Sequence, residues 1–190
     1  MTLTLSSARD LLARMNACDE SSRWLAVLPS DTTPESAWST CPRGDWLVWL
    51  LGRLHRAGVL SRQTLTLAGC AAARTSLVHL AGTPWHAPSL AAIETTERWC
   101  RGEATPEDVR KAQHAAWEAR DAAAYAAAYD AADAAAAAAA ADDAYAAAAY
   151  AADAADAAAA RAKRRQEIAD AVRAVVPWSL VERALGEVSP

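Results

Sequence analysis

The sequence predicts an all-α protein, a multi-helix domain in which short N-terminal helices pack on a long alanine-rich helical hairpin. Three observations lead there. Between positions 112 and 160, 33 of 49 residues are alanine, the residue that loses no side-chain entropy on entering a helix. No Gly or Pro occurs between Pro106 and Pro177. Elsewhere helix start and stop signals follow one another closely, and the brief alternation over Thr64–Leu67 sits inside a helical pattern.

Taken in order, Ser6 or Ser7 can cap a first helix with Ala8, Leu11, Leu12 and Met15 on one face. A short second helix carries Trp24, Leu25 and Leu28 and ends before Pro29. Thr33-Pro34-Glu35 supplies a cap and a proline at the first helical position. After the loop around Cys41-Pro42-Arg43-Gly44, Asp45 is expected to cap a helix through Trp46-Leu47-Val48-Trp49-Leu50-Leu51 that stops at Gly58. Ser61 begins the next, expected to run to about Leu80 and end at Gly82; Pro88 opens another, closed by Gly102. Thr105-Pro106-Glu107-Asp108 is the strongest start signal, with cap, proline and two acids at the positive end of the helix dipole. At the far end Ser179-Leu180-Val181-Glu182 reads as the capping box of a final short helix over 179–187.

The arm over 106–176 would be about 106 Å long as one helix, at 1.5 Å per residue. A compact domain of this length has a radius of gyration of only about 16 Å. The acidic residues argue for a break. Counted from Asp121 at about 100° per residue, Asp130 and Asp133 fall near 180° and 120°, whereas Asp142, Asp153 and Asp156 fall near 300°, 320° and 260°. A break within 134–143, with Asp142 or Asp143 capping the second piece, removes the conflict. Arg161, Lys163, Arg164 and Arg165 then lie toward the C-terminal part of that piece, and Ile168, Val172, Val175 and Val176 form its buried stripe. The whole of 1–190 is thus expected to be a single helical domain: Trp- and Leu-rich short helices over 1–102, the arm over 106–176, and a last helix over 179–187.

Charge divides the chain unevenly. Ten basic and nine acidic groups over 1–105 give +1; three and ten over 106–160 give −7; six and four over 161–190 give +2. An acidic arm repels phosphate and argues against nucleic acid, whereas a basic protein partner suits it. The uncharged runs of the arm fall far short of the ~20 apolar residues of a membrane span. Four widely spaced cysteines and an N-terminus bearing Arg9 and Asp10 point to the reducing cytoplasm.

No motif predicts catalysis, and no metal or cofactor is expected. His114 and Glu118 share a helix face, but no second such pair completes a metal site. His55, His79 and His86 have no matching partners in the sequence. A nucleophile elbow and a phosphate-cradling glycine loop are both absent. Cys70 falls within a helical pattern, as a small core residue does, and Glu94 and Glu97 with Arg98 or Arg101 read as a solvated surface. In a chain without Phe, tryptophan is the bulky core filler, so Trp46, Trp49, Trp99 and Trp178 are expected inside, with Trp24, Trp38 and Trp85 nearer loops. The arm offers the candidate partner-binding residues, Tyr125, Tyr129, Asp130, Asp133, Asp142, Tyr145, Tyr150, Asp153 and Asp156. The same aspartates also keep an alanine helix soluble, and the tyrosines also pack between helices. Ice-binding helices share the alanine but carry regular Thr, and no Thr follows Thr105.

The run Cys41-Pro42-Arg43-Gly44-Asp45-Trp46-Leu47-Val48-Trp49-Leu50-Leu51, the Ala/Asp/Tyr arm, and the closing stretch from Arg165 to Trp178 together resemble a family of alanine-rich immunity proteins of bacterial polymorphic toxin loci and phages. The likeness covers most of 35–182. It implies a non-enzymatic protein that binds and neutralises a toxin. The matching Asp45, Trp46, Trp49, Asp170, Arg173, Pro177 and Trp178 read as architecture: a cap, core aromatics and an Asp–Arg lock at a helix end. The function expected is therefore toxin neutralisation in the cytoplasm through the acidic face of the arm. The alternatives are a self-associating structural or accessory protein, with homo-oligomers through alanine faces, and a small-molecule binder using a tryptophan-lined interior.

Overall fold

Caps and glycine stops divide the chain into helices that pack around one of the arm's own ends. The computed structural model describes residues 3–84, 86–123 and 158–188. Among these it contains nine α-helices, one 3-10 turn and no strand. We number them α1 (Leu5–Arg14), α2 (Asp19–Ala26), α3 (Pro34–Thr40), α4 (Gly44–Arg56), α5 (Arg62–Arg74), α6 (His86–Cys100), α7 (Pro106–Ala123), α8 (Ala158–Val175) and α9 (Trp178–Val188); the 3-10 turn spans Leu77–Leu80. The all-α class is what the sequence predicts. Residues 124–157 lie outside the described set, and with them the break expected within 134–143.

Several starts form as the sequence indicates. Thr33 Oγ1 accepts from the Ser36 N–H (3.0 Å) ahead of Pro34, and Ser61 Oγ accepts from the Thr64 N–H (3.1 Å). At α7, Thr105 Oγ1 accepts from the Asp108 N–H (3.1 Å) while Asp108 Oδ2 accepts from the Thr105 N–H (2.8 Å), so two otherwise orphaned donors are satisfied together. Gly58 and Gly102 follow α4 and α6 at φ 79° and 77°, a left-handed conformation open to glycine without a Cβ clash.

Other boundaries differ, each for a local reason. The first helix is capped by Thr4, and Ser7 is its N3 partner in a capping box. The helix from Ser61 ends at Arg74, because the chain tightens into the 3-10 turn before Gly82. α6 opens at His86, with Pro88 inside the first turn, where a missing N–H costs nothing. α9 opens at Trp178, so Ser179 lies inside it; Pro177 O accepts from the Leu180 N–H (3.1 Å). Asp45 is not a cap: α4 starts two residues earlier than expected, at Gly44 after Arg43, and the Asp45 carboxylate turns to that arginine instead.

The N-terminal helices pack on the described ends of the arm, α6 against α7, and α4 and α5 against α8. The main core joins Leu47, Val48, Leu51 and Leu54 of α4 and Leu65, Ala68 and Ala72 of α5 to Ile168, Ala169 and Val172 of α8, with Val181 and Leu185 of α9 closing it. Each fully buried Leu, Ile or Val here contributes about 2 kcal/mol. The buried stripe on α8 differs from the expected one in taking in Ala169 and leaving out Val175. At about 100° per residue from Ile168, Val172, Ala169 and Val176 fall near 40°, 100° and 80°, and all are buried, whereas Val175, near −20° in the last turn, is 40% exposed. Arg164 begins that stripe as a buried guanidinium whose Nη1 donates to Thr75 O at the end of α5. Burial pushes its pKa down from the usual arginine value.

α4 and α8 meet at Gly44. A Cβ built there would stand 2.2 Å from Ile168 Cγ2, 2.5 Å from Ile168 Cβ and 2.6 Å from the Ala169 backbone N. Because one of those atoms is backbone, no rotamer change relieves the overlap. Gly44→Ala is therefore expected to cost about 1–3 kcal/mol, a fall in Tm of roughly 3–10 °C for a chain of this size. Thermal unfolding followed by circular dichroism checks it; an unchanged Tm would show that α8 can move away freely.

Candidate functional site

α4 is apolar on two sides. Leu47, Val48, Leu51 and Leu54 are buried in the core, while Trp46, Trp49 and Leu50, roughly 140° round the helix at about 100° per residue, are half-buried. That second face looks into a cleft of about 240 Å³, whose opposite wall is the α1–α2 pair. From α1 come Leu5, Ala8 and Leu12; from the turn and α2, Cys18, Glu20, Ser21 and Trp24; from α3 and α9, Trp38 and Trp178. Tryptophan thus lines the cleft on several sides. Trp24 and Trp46 lie tilted at 54° with ring centroids 5.9 Å apart, and Trp38 and Trp178 at 44° and 6.4 Å. Tilted aromatic pairs of this kind add about 0.5–1.5 kcal/mol beyond the area they bury.

The polar side of the cleft is built around Arg43. Its Nε and Nη2 donate to Asp45 Oδ1 (2.8 Å) and Oδ2 (2.6 Å), a bidentate pair, and Nη1 meets Glu20 Oε1 at 2.9 Å. The guanidinium carbon also sits 4.5 Å from the Trp46 ring centroid, a cation–π contact. The Asp45 hydrogen bond holds the Arg43 pKa above even the usual arginine value, against the opposing effect of burial. Arg43 and Asp45 are nearly enclosed, whereas the Glu20 side chain is 60% exposed. Behind this group, Arg173 fixes the loop that carries it: Nη1 donates to Cys41 O (2.8 Å) and Trp38 O (3.2 Å), and Nη2 to Asp170 Oδ1 (2.6 Å). The Asp170–Arg173 pair is therefore a lock between α8 and the α3–α4 loop, 132 residues apart in sequence.

Asp45, Trp46, Trp49 and Trp178 come together on this cleft, whereas Asp170 and Arg173 support it from α8. Trp46, Trp49 and Trp178 are wall residues, half-buried where full burial is expected, and Trp99 is half-buried elsewhere with the Arg62 guanidinium 5.9 Å from its ring. Among the described residues the buried tryptophan is Trp38. Helical spacing reveals that Trp46 and Trp49 share a face, not what covers that face. Glu20 and Trp24 carry no sequence signal, because the residues they meet are more than twenty positions away. Tyr125, Tyr129, Asp130, Asp133, Asp142, Tyr145, Tyr150, Asp153 and Asp156 lie outside the described residues.

The cleft's titratable groups are Glu20, Arg43, Asp45, Cys18 and Cys41. Burial pushes the Cys41 thiol up from its ordinary 9.0 to about 11, so it stays neutral at physiological pH. No histidine lines the cavity: His55 Nδ1 is engaged with Leu60 O (2.9 Å), and His79, its pKa lowered mainly by burial with Arg164 adding to the effect, lies elsewhere. Among the described residues no group of three His, Cys, Asp or Glu side chains is placed to hold a metal ion. Among them, too, no helix is long and apolar enough to cross a membrane.

Two tests follow from this geometry. Arg43→Met strands the enclosed Asp45 carboxylate and is expected to cost about 3 kcal/mol; adding Asp45→Asn should recover much of it, while Glu20→Gln alone should cost less than about 1 kcal/mol because that pair is solvated. Urea unfolding of the three variants beside the parent chain measures each term, and a cost for Arg43→Met no larger than for Glu20→Gln would show that the bidentate pair is not holding the loop. For Cys41 the unfolded thiol ionises near its ordinary 9.0 and the folded one only near 11. Stability should therefore fall as pH rises through that window, and Cys41→Ala should flatten the fall. Compared with family models, with curated proteins and with solved structures, the chain matches none.

Proposed function

We propose that this chain is a non-catalytic binding protein that neutralises a toxin in the cytoplasm, and that the tryptophan-lined cleft anchors the toxin. The observation that carries the reading is the set of four half-buried tryptophans, Trp24, Trp46, Trp49 and Trp178, around one open cavity of about 240 Å³. Tryptophan is among the residues enriched as interface anchors, since it presents a large rigid surface at small entropic cost. Arg43 and Asp45 keep the pocket's polar side fixed, so little ordering is left to be done on association. The resemblance to immunity proteins gives the partner its class. The −7 charge of residues 106–160 supports a basic one, because it would steer such a partner toward the chain and speed association at low salt.

Native co-purification followed by mass spectrometry tests this. A partner is expected that arrests growth when expressed alone and no longer does so when this chain is co-expressed. Trp49→Ala should weaken that complex at least tenfold with the helical circular dichroism intact. Reversing Asp130, Asp133, Asp153 and Asp156 to Lys should slow association. Recovery of this chain alone would favour self-association instead, and recovery of a small molecule in the cleft would favour a ligand carrier.

A further inference from the structure

We infer that the cleft is built for a cationic side chain, a lysine or arginine of the protein partner, with its stem along the tryptophans and its charged head at Glu20. The inference rests on the binding role just proposed and adds the chemistry of what is bound. The formal charge on the cleft is −1, from Glu20 and Asp45 against Arg43. The two carboxylates are not equivalent. Both oxygens of Asp45 are taken by Arg43, whose Nε, Nη1 and Nη2 are each in turn engaged. Glu20 meets Arg43 through Oε1 alone, its side chain is 60% exposed, and among the described residues no donor meets its Oε2.

An incoming anion would therefore find three of the guanidinium's five N–H donors already engaged and two carboxylates beside it. A neutral polar head would gain a hydrogen bond to the Glu20 carboxylate and no more. A cation gains that bond together with the attraction between two full charges. The walls suit the rest of such a side chain, because the methylene stems of lysine and arginine cover apolar surface while their heads stay at its polar edge. Arg43 itself, 4.5 Å from the Trp46 ring centroid, shows that a guanidinium stacks on these rings within the fold. The arm's excess of acid favours a source in a basic protein surface over a free amine.

The test uses blocked amino acids as probes: N-acetyl methylamides of arginine, of citrulline (the same shape without the charge) and of glutamate. Tryptophan indole N–H resonances of the full chain report binding. Arginine is expected to bind at least fivefold more tightly than citrulline, with glutamate weaker still, and Glu20→Gln should bring the arginine-to-citrulline ratio close to one. Equal binding of arginine and citrulline overturns the inference, as does tighter binding of glutamate or no shift of any tryptophan with any probe. The binding role fails separately. If a growth-arresting partner is neutralised but Glu20→Gln and Trp49→Ala leave its affinity unchanged, the partner uses another surface. Neutralisation then stands, and the cleft's part in it does not.

Discussion

The close contact between the start of α4 and the middle of α8 is the constraint on which the rest of the structure depends. Gly44 is buried there, with the Ile168 side chain and the Ala169 backbone occupying the space a Cβ would need. That proximity lets Val48 and Leu51 on one helix and Ile168 and Val172 on the other be wholly removed from water. It also decides which side of α4 is left over. With Leu47, Val48, Leu51 and Leu54 committed to the core, Trp46 and Trp49 must face the other way, toward α1 and α2. The cleft is thus a by-product of how tightly α8 is held.

Two arginines on α8 finish the attachment by a means the hydrophobic core cannot supply. Arg164 reaches the carbonyl of Thr75, the residue that caps the end of α5, and Arg173 reaches those of Cys41 and Trp38 near the end of α3. Carbonyls at helix ends lack intrahelical donors and carry the negative end of the dipole, so a guanidinium satisfies both needs at once. A third arginine, Arg43, does the corresponding work inside the cleft, with a carboxylate as its main partner. A lysine would not serve at Arg43, because a single ammonium cannot span both Asp45 oxygens.

The fold was legible in the sequence wherever the signal is local. Thr33-Pro34, Ser61 and Thr105-Pro106 cap the helices they announce, and Gly58 and Gly102 end theirs, because capping and left-handed φ are decided within four or five residues. Boundaries drifted where a neighbour competes, as at Asp45, whose carboxylate had a stronger partner in Arg43 than a backbone N–H. The site was legible only in pieces. The run from Arg43 to Trp49 holds its fixed ion pair and two of its tryptophans, yet the spacing of Trp46 and Trp49 is the same for a core face and for a cleft wall. Glu20, Trp24 and Trp178 come from distant parts of the chain, and only packing brings them there.

The separation of Gly44 from Ile168 also says something about how the protein is made. The α3–α5 region emerges from the ribosome early, whereas the helix that seals it begins more than eighty residues later. Closing so long a loop costs little more than closing a short one, since the entropy grows only with the logarithm of length. The difficulty is one of time. Throughout that interval Val48, Leu51 and Leu54 have no α8 to cover them, and a nascent chain in that state is prone to associate with its neighbours. A long alanine-rich insertion between the early helices and their seal is a benign one to translate. Its methyl groups give a waiting hydrophobic face little to hold.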